Sequence, residues 1–284
     1  MKTTNLLIAA FILSLSFTSC SKSDDDDQKV EENPLADYNL LTTFTANGHD
    51  IQIYSEQEQF TIGYNELFIR IKDDAKDTYV KNADITWKPV MHMTGMMHSC
   101  PTSAIEITSD ATDYSGCIVF QMPGNADEYW DLALDYKIDG QDFSTSERIE
   151  VVSPTDGKRR VNSFMGSDDV RYILAMMPIK PKEGVNDFSA LLFKMENMMD
   201  FPSVQNYKAP VDPRMPGMGN HTSPNNADLN YNAPTNTYKG KLNFTMTGYW
   251  KINLKLENEI GEILKGEDVT DENESSSLFF EIEF

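Results

Sequence analysis

The sequence predicts an all-β protein built from two tandem Ig-like antiparallel β-sandwich domains. One observation is that short alternating apolar runs, separated by turn residues, follow one another over most of the chain. The other is an internal repeat. Each half carries, in the same order, a Met/His loop closed by Pro, a Tyr-x-Gly turn, a strand ending in Phe-x-Met and a Trp that opens another strand. Two copies of one supersecondary plan indicate two related domains.

Residues 1–19 are predicted to be a signal peptide. A short basic start is followed by an apolar stretch, residues 6–17, that is too short to span a bilayer as a helix. The junction at 17–20 resembles the bacterial lipobox, although Phe17 stands where Leu is usual. This resemblance implies cleavage before Cys20 and lipidation of that residue.

Residues 20–36 are predicted to form the lipidated Cys and a disordered tether, because the segment is acidic and poor in apolar residues. Its beginning, Ser21 to Asp27, is similar to the acidic export signal of surface lipoproteins in the Bacteroidetes. We therefore expect an outer-membrane lipoprotein that is exposed at the cell surface. A lipoprotein that faces the periplasm is the alternative.

The remaining chain divides into a first Ig-like domain at 37–152, a linker at 153–158 and a second Ig-like domain at 159–284. The linker clusters Pro, Gly and polar residues between apolar runs. A total of 284 residues also exceeds the usual size of one domain. The second domain contains a long central loop, 197–238, that is rich in Pro and Asn and is expected to lack secondary structure.

Alternation and turn signals predict each strand in order. An Asn-Gly turn at 47–48 joins the first two strands into a hairpin. The expected strands of the first domain are 41–45, 51–55, 67–71, 82–87, 105–108, 117–122, 130–138 and 147–152. Those of the second domain are 170–177, 188–195, 241–246, 250–257 and 278–284. Within them, Met122 and Met246 are expected to pack in the cores, and Trp130 and Trp250 to anchor them.

Composition and motifs exclude several functions. The net charge of −21 argues against binding to nucleic acid or to an anionic lipid surface, which would need clusters of Lys and Arg. The sequence has no nucleophile elbow, no Gly-rich phosphate loop and no His-Glu-x-x-His metal motif. We therefore expect that the protein is not an enzyme.

Two loops concentrate soft metal ligands. Thioether sulfurs are poor ligands for hard cations and good ligands for Cu(I) and Ag(I), and neutral imidazole can join them. The predicted ligands are His92, Met93, Met96 and His98 in the first domain and Met215, Met218 and His221 in the second. The alternative is that these methionines only cap the open ends of the sandwiches, because Met also fills irregular gaps.

Two roles remain open for Cys100 and Cys117. In an oxidising compartment they could form a disulfide, which is the interpretation that we favour. Cys100 could instead be a thiolate ligand beside His98. The second domain has Lys241 where Cys117 falls and has no cysteine, so neither role is shared by both copies.

The order Met-x-x-Met-x-(x)-His, Pro, Tyr-x-Gly, Phe-x-Met, Gly-x-Trp resembles the YtkA-like and FixH-like domains of bacterial envelopes. The match is clearest at Met215 to His221 and at Gly248 to Trp250, whereas the first domain departs from the pattern at Met97 to Cys100. The resemblance implies an Ig-like sandwich and an association with copper handling.

The leading hypothesis is a lipid-anchored envelope protein that binds Cu(I) through its Met/His loops for sequestration or delivery. Its partners would be the outer membrane, through the lipid anchor, and an envelope protein. The competing hypothesis is a metal-free Ig-like surface module that binds a protein or glycan partner.

Overall fold

Antiparallel β-strands build almost all of the protein. The computed structural model describes residues 33–109 and 111–284. Over these residues the regular elements are strands and two short 3-10 helices, Pro216–Met218 and Ala233–Thr235, with no α-helix. The prediction of an all-β sandwich fold is confirmed.

The first half of the structure is a sandwich of two main sheets. One sheet has the strand order β1-β2-β4-β9-β8, with β5 paired to β4, and the other has the order β11-β10-β6-β7. The short strands β12 and β3 form a separate parallel pair. The strands are β1 (Asn39–Ala46), β2 (His49–Ser55), β3 (Phe60–Thr61), β4 (Gly63–Asp73), β5 (Thr78–Tyr79), β6 (Asp84–Met93), β7 (Met96–His98), β8 (Glu106–Ile107), β9 (Asp113–Phe120), β10 (Tyr129–Ile138), β11 (Gln141–Ile149) and β12 (Val151–Val152).

The second half repeats this topology. Its larger sheet has the order β13-β14-β15-β20-β19-β16-β22-β23, and its smaller sheet has the order β18-β17-β21-β24. The path β13-β14-β15-β20-β19 corresponds to β1-β2-β4-β9-β8, and β24-β21-β17-β18 corresponds to β11-β10-β6-β7. The strands are β13 (Val161–Met165), β14 (Arg171–Met176), β15 (Gly184–Lys194), β16 (Lys208–Ala209), β17 (Val211–Met215), β18 (His221–Thr222), β19 (Ala227–Asn232), β20 (Thr237–Phe244), β21 (Tyr249–Leu254), β22 (Leu256–Glu257), β23 (Ile263–Lys265) and β24 (Leu278–Glu283).

The repeated Phe-x-Met and Trp elements build the same core contact twice. Trp130 is fully buried, and its indole Nε1 donates a hydrogen bond to the carbonyl oxygen of Met122 at 3.1 Å. Trp250 is also fully buried and donates to the carbonyl oxygen of Met246 at 3.0 Å. Both methionines are partly buried against their cores. The predicted packing roles of these four residues are confirmed.

The Tyr of each Tyr-x-Gly turn also has the same role in both halves. The hydroxyl of Tyr114 donates a hydrogen bond to the carbonyl oxygen of Val80 at 3.2 Å, and that of Tyr238 donates to Val204 at 3.0 Å. Each hydroxyl therefore satisfies a loop carbonyl from within the core, which explains why the motif occurs twice.

A third shared contact was not predicted from the sequence. The Oδ1 of buried Asn65 accepts from the backbone N–H of Thr61 at 2.9 Å, and its Nδ2 donates to the carbonyl of Thr61 at 2.8 Å. Asn186 makes the same two bonds with Lys182, at 3.0 and 2.7 Å. The sequence signal was a Gly-x-Asn at the start of the equivalent strands β4 and β15. The two halves therefore share buried polar contacts as well as topology.

The two sandwiches pack against each other through their larger sheets. Residues 35–284 form one compact unit that contains both cores. The apolar contact between the sandwiches consists of Cys117 and Val119 of β9, Ile173 and Ala175 of β14, and Leu191 and Phe193 of β15. No strand is present between β12 and β13, where the linker was predicted, and the domain boundaries themselves stay predictions.

The long central loop of the second half contains regular structure, so the expectation that it lacks any is wrong. Residues 197–238 include strands β16 to β19 and both 3-10 helices. Strand β17 was missed because it lies in a segment rich in Pro and Asn, and it contains Pro213 itself. The structure tolerates Pro213 because the neighbouring strand β18 pairs only with Arg214 and Met215, so no partner is lost on that side.

Most of the predicted N-terminal segment, including the signal peptide and Cys20, lies outside the described residues. At its end the side chain of Leu35 is buried, and its carbonyl accepts a hydrogen bond from the N–H of Tyr38 at 3.1 Å. The first sandwich therefore begins inside the segment predicted to be a tether. Among the described residues, no helix has the length and apolar character needed to cross a membrane.

Candidate metal-binding hairpins

The first Met/His loop forms a hairpin between β6 and β7, with its turn at Thr94 and Gly95. Three pairs of residues face each other across it: Met91 with His98, His92 with Met97, and Met93 with Met96. Directly opposed residues share a face, and successive residues alternate between faces. One face of the hairpin therefore carries Met91, Met93, Met96 and His98, and the opposite face carries His92 and Met97.

The four residues on the inner face extend from the core to solvent. Met91 is fully buried, Met93 and His98 are half-buried, and 47% of Met96 is exposed. A metal ion that arrives from solvent would therefore meet Met96 at the tip of the hairpin first. Met91, at the other end of this face, belongs to the hydrophobic core of the first sandwich.

His98 is held in the tautomer that a metal ligand needs. Its Nδ1 lies 2.8 Å from the carbonyl oxygen of Ser99. A carbonyl can only accept a hydrogen bond, so Nδ1 carries a proton, and in the neutral imidazole Nε2 then has the free lone pair. Metal-ligating histidines commonly donate their other ring N–H to a carbonyl in this way. The ring of His98 also meets the ring of Trp130 edge to face, with 5.5 Å between centroids.

The structure does not bring His92 together with Met93, Met96 and His98. The Nε2 of His92 lies 2.8 Å from a carboxylate oxygen of Asp131, and its ring stacks on Tyr129 at 4.8 Å. Because His92 lies on the outer face of the hairpin, its nitrogen atoms point away from the three other predicted ligands. His92 thus has a carboxylate partner and a stacking partner on the outer face of the hairpin.

The second Met/His loop is the equivalent hairpin, β17 to β18, connected through the 3-10 helix at Pro216–Met218. Met215 pairs with His221 and is buried, whereas His221 is exposed. Met218 lies at the tip, with 58% of its surface exposed. The structure thus places Met215 and His221 on one face, with Met218 beyond them.

The strand pairing matches the residues of the two hairpins differently from the way the sequence repeat matches them. The sequence repeat matches Met93 with Met215, because each begins a run that contains Gly, Met and His. In the structure, Met91 lies opposite Trp130 on one side and His98 on the other. In the second half, Arg214 pairs with Lys251, so the next pair places Met215 opposite Trp250.

Each sandwich therefore has a Trp–Met–His row, in which the three side chains lie side by side on three neighbouring strands. The rows are Trp130, Met91 and His98, and Trp250, Met215 and His221. Met91 was not among the predicted ligands. Its importance depends on the pairing of β6 with β10, which the sequence does not display.

Other metal-ligand groups are not evident in the part of the chain that the structure describes. Over residues 33–109 and 111–284, no three or more His, Cys, Asp or Glu side chains are grouped so that they could hold a metal ion. The Met/His hairpins are thus the candidate site with the most support from local geometry.

Cys100 and Cys117 are free and buried, so the structure does not form the disulfide that the sequence favoured. Cys100 belongs to the core of the first sandwich, whereas Cys117 faces the contact between the two sandwiches. Neighbouring Ile118 packs in the core, so alternation along β9 directs Cys117 away from Cys100. Burial raises the pKa of both thiols, that of Cys100 well above its usual value.

We expect both thiols to be unreactive in the folded protein. In the chain that begins after Cys20, a thiol reagent such as DTNB at pH 8 should react slowly with native protein, because burial blocks access and disfavours the thiolate. After denaturation without reductant, two thiols per chain should react rapidly. Detection of no thiol under denaturing conditions would show that the two cysteines form a disulfide.

Comparison with known proteins finds similarity only among solved structures. The sequence matches no protein-family model and no curated protein. The adhesin FdeC of Escherichia coli is similar over 78% of this chain, with 12% identity and a TM-score of 0.27. A DUF4785 family protein of Legionella pneumophila is similar over 73%, with 10% identity and a TM-score of 0.25. The matched regions span 64% and 52% of those two chains.

Proposed function

We propose that this protein is a lipid-anchored envelope protein that binds Cu(I) through its Met/His hairpins, for sequestration or delivery. The observation that carries the proposal is the inner face of the first hairpin. There the free Nε2 of His98 lies on the same face as the thioethers of Met93 and Met96. The second hairpin offers Met215 and His221 in the same register, with Met218 at its tip.

The types of ligand favour a soft ion. Thioether and neutral imidazole select Cu(I) over Mg²⁺ and Ca²⁺, which prefer carboxylate, carbonyl and water oxygens. None of the residues on the inner face of the first hairpin is a carboxylate. The resemblance of the sequence pattern to YtkA-like and FixH-like domains supports the same choice of metal.

The proposed location and partners rest on the N-terminal sequence. A lipid on Cys20 would attach the protein to the outer membrane, and the acidic residues after it favour export to the cell surface. A protein that sequesters Cu(I) there needs no partner, whereas one that delivers it requires an envelope protein that accepts the ion.

Titration with Ag(I), a redox-inert substitute for Cu(I), tests the proposal on the chain that begins after Cys20. We expect saturable binding by the wild type. Changing both His98 and His221 to Ala should weaken binding by at least about tenfold, because each change removes a nitrogen ligand. The matched control is His92→Ala, which removes a histidine from the outer face of the same hairpin.

The control should bind Ag(I) like the wild type. Absence of saturable binding to the wild-type chain, or an equal loss in the control, would contradict the proposal.

A second candidate function is the metal-free module that binds a partner. A cleft of about 950 Å³, lined by residues of both sandwiches, favours this function. Trp87 and Tyr64 from the first sandwich and Phe201 from the second line it, together with Glu66 and Asp135. A wild-type chain that binds no Ag(I) would leave this function as the better proposal.

A further inference from the structure

We infer that the Trp–Met–His row is the metal-binding element of each sandwich, with Met91 and Met215 as the inner sulfur ligands and the indoles of Trp130 and Trp250 against the bound ion. This inference rests on the proposed function and adds Met91, Trp130 and Trp250, none of which the sequence identified as a ligand. It also predicts two sites of related design, one in each sandwich.

The first argument is the close approach of the Trp130 and His98 rings in the first sandwich. Strands β10 and β7 lie on either side of β6, so their backbones are about 9–10 Å apart, twice the usual spacing between strands. Yet the ring centroids of Trp130 and His98 are only 5.5 Å apart. The two outer rings therefore meet edge to face beside Met91, whose backbone lies between theirs in the register.

The second argument is the recurrence of the row where the rest of the hairpin differs. The first hairpin turns at Thr94 and Gly95, whereas the second passes through a 3-10 helix. Core packing alone accounts for a buried Trp beside a buried Met. It does not require a histidine that is half-buried in one copy and exposed in the other, as His98 and His221 are.

The chemistry of the row suits a soft monovalent cation. A thioether and a neutral imidazole nitrogen are ligands for Cu(I) and Ag(I). A cation over the face of an indole that is shielded from water gains a further contribution from the quadrupole of the ring. The low dielectric around buried Met91 and Trp130 excludes strongly hydrated divalent ions, which would have to lose water there.

The two rows should differ in their affinity for the metal ion. In the first sandwich, Met93 and Met96 lie on the same face as Met91 and His98 and can complete the coordination of the ion. In the second sandwich, the hairpin adds only Met218, which lies in the exposed turn. We therefore expect the first site to fill before the second.

Methionine-to-leucine substitutions test the inference, because Leu keeps the volume and apolar character of the core but removes the sulfur. Residues 35–284 form one compact unit, so the chain that begins after Cys20 retains both sites. Ag(I) titration should show two binding events in the wild type. Met91→Leu should weaken the tighter event at least about tenfold, and Met215→Leu the weaker one. The control is Met165→Leu, on β13, where the side chain is 47% exposed; it should change neither event.

Tryptophan fluorescence gives an independent measurement on the same samples. The tighter event should quench the emission of Trp130, so this quenching should be lost in Trp130→Phe. The weaker event should quench the emission of Trp250, so this quenching should be lost in Trp250→Phe. Trp87→Phe is the control and should retain both.

If the wild type binds Ag(I) but Met91→Leu and Met215→Leu bind it equally well, the inference is overturned while the proposed function stands. If Met91→Leu does not fold, Trp130→Phe decides the question. The inference is then overturned if the tighter event quenches the fluorescence of this variant as much as that of the wild type. A wild type that binds no Ag(I) overturns both.

Discussion

Replacing Trp130 by Ala should lower the free energy of unfolding by about 3–5 kcal/mol, the range for removing a large aromatic side chain from a core. Trp130 is fully buried, its ring packs edge to face on Phe120 at 5.0 Å, and its indole N–H bonds to the carbonyl of Met122. Equilibrium urea unfolding of the chain that begins after Cys20, followed by circular dichroism, measures the loss.

Trp87→Ala is the matched control, because Trp87 lies on the same sheet but is only partly buried. We expect a smaller loss from this change. A loss below about 1 kcal/mol for Trp130→Ala would show that the Trp of the repeat does not anchor the core.

Replacing Asp113 by Ala should also destabilise the first sandwich by about 3–5 kcal/mol, the usual cost of removing one partner of a buried ion pair. The Nε of Arg70 lies 2.8 Å from Oδ1 of Asp113, and their side chains are only 2% and 4% exposed. The guanidinium also lies 3.4 Å above the ring of Tyr79. Without Asp113 the buried guanidinium loses its carboxylate while it remains shielded from water.

The control for this change is Asp142→Ala. Asp142 pairs with Lys137 at 3.1 Å on the surface, where the two side chains are 80% and 46% exposed. Such pairs contribute about 0–1 kcal/mol, so the control should unfold almost like the wild type in the same urea experiment. Equal losses from the two changes would contradict a specific role for the buried pair.

The sequence predicted the positions of individual strands better than it predicted which strands pair with each other. Alternation and the Asn-Gly turn located β1 and β2 within a few residues, and the repeated Phe-x-Met and Trp elements indicated related cores. The ion pair between Arg70 and Asp113 could not be predicted, because it depends on which strands pair. Strand β9 lies beside β4 in the sheet although 39 residues separate their ends in the chain.

The sequence identified the candidate ligands by residue type, but it did not show on which face of the hairpin each one lies. Counting Met and His in the first loop selected His92 and His98 together, and only the register of β6 and β7 shows that they point to opposite faces. The same register adds Met91, whose position beside His98 on the neighbouring strand is invisible in the sequence. The disulfide was favoured for a similar reason. The number of cysteines suggested a pair, whereas alternation along β9 directs Cys117 away from Cys100.

X-ray absorption at the copper K-edge tests the central claim most directly, with the Cu(I)-loaded chain that begins after Cys20. Cys100 and Cys117 are changed to Ser in this experiment, so that every sulfur near the metal is a thioether. We predict a first coordination shell of thioether sulfur and imidazole nitrogen that loses sulfur in the Met91→Leu variant. A shell composed only of nitrogen and oxygen atoms, or a chain that retains no copper, would contradict a soft-metal site in the Met/His hairpins.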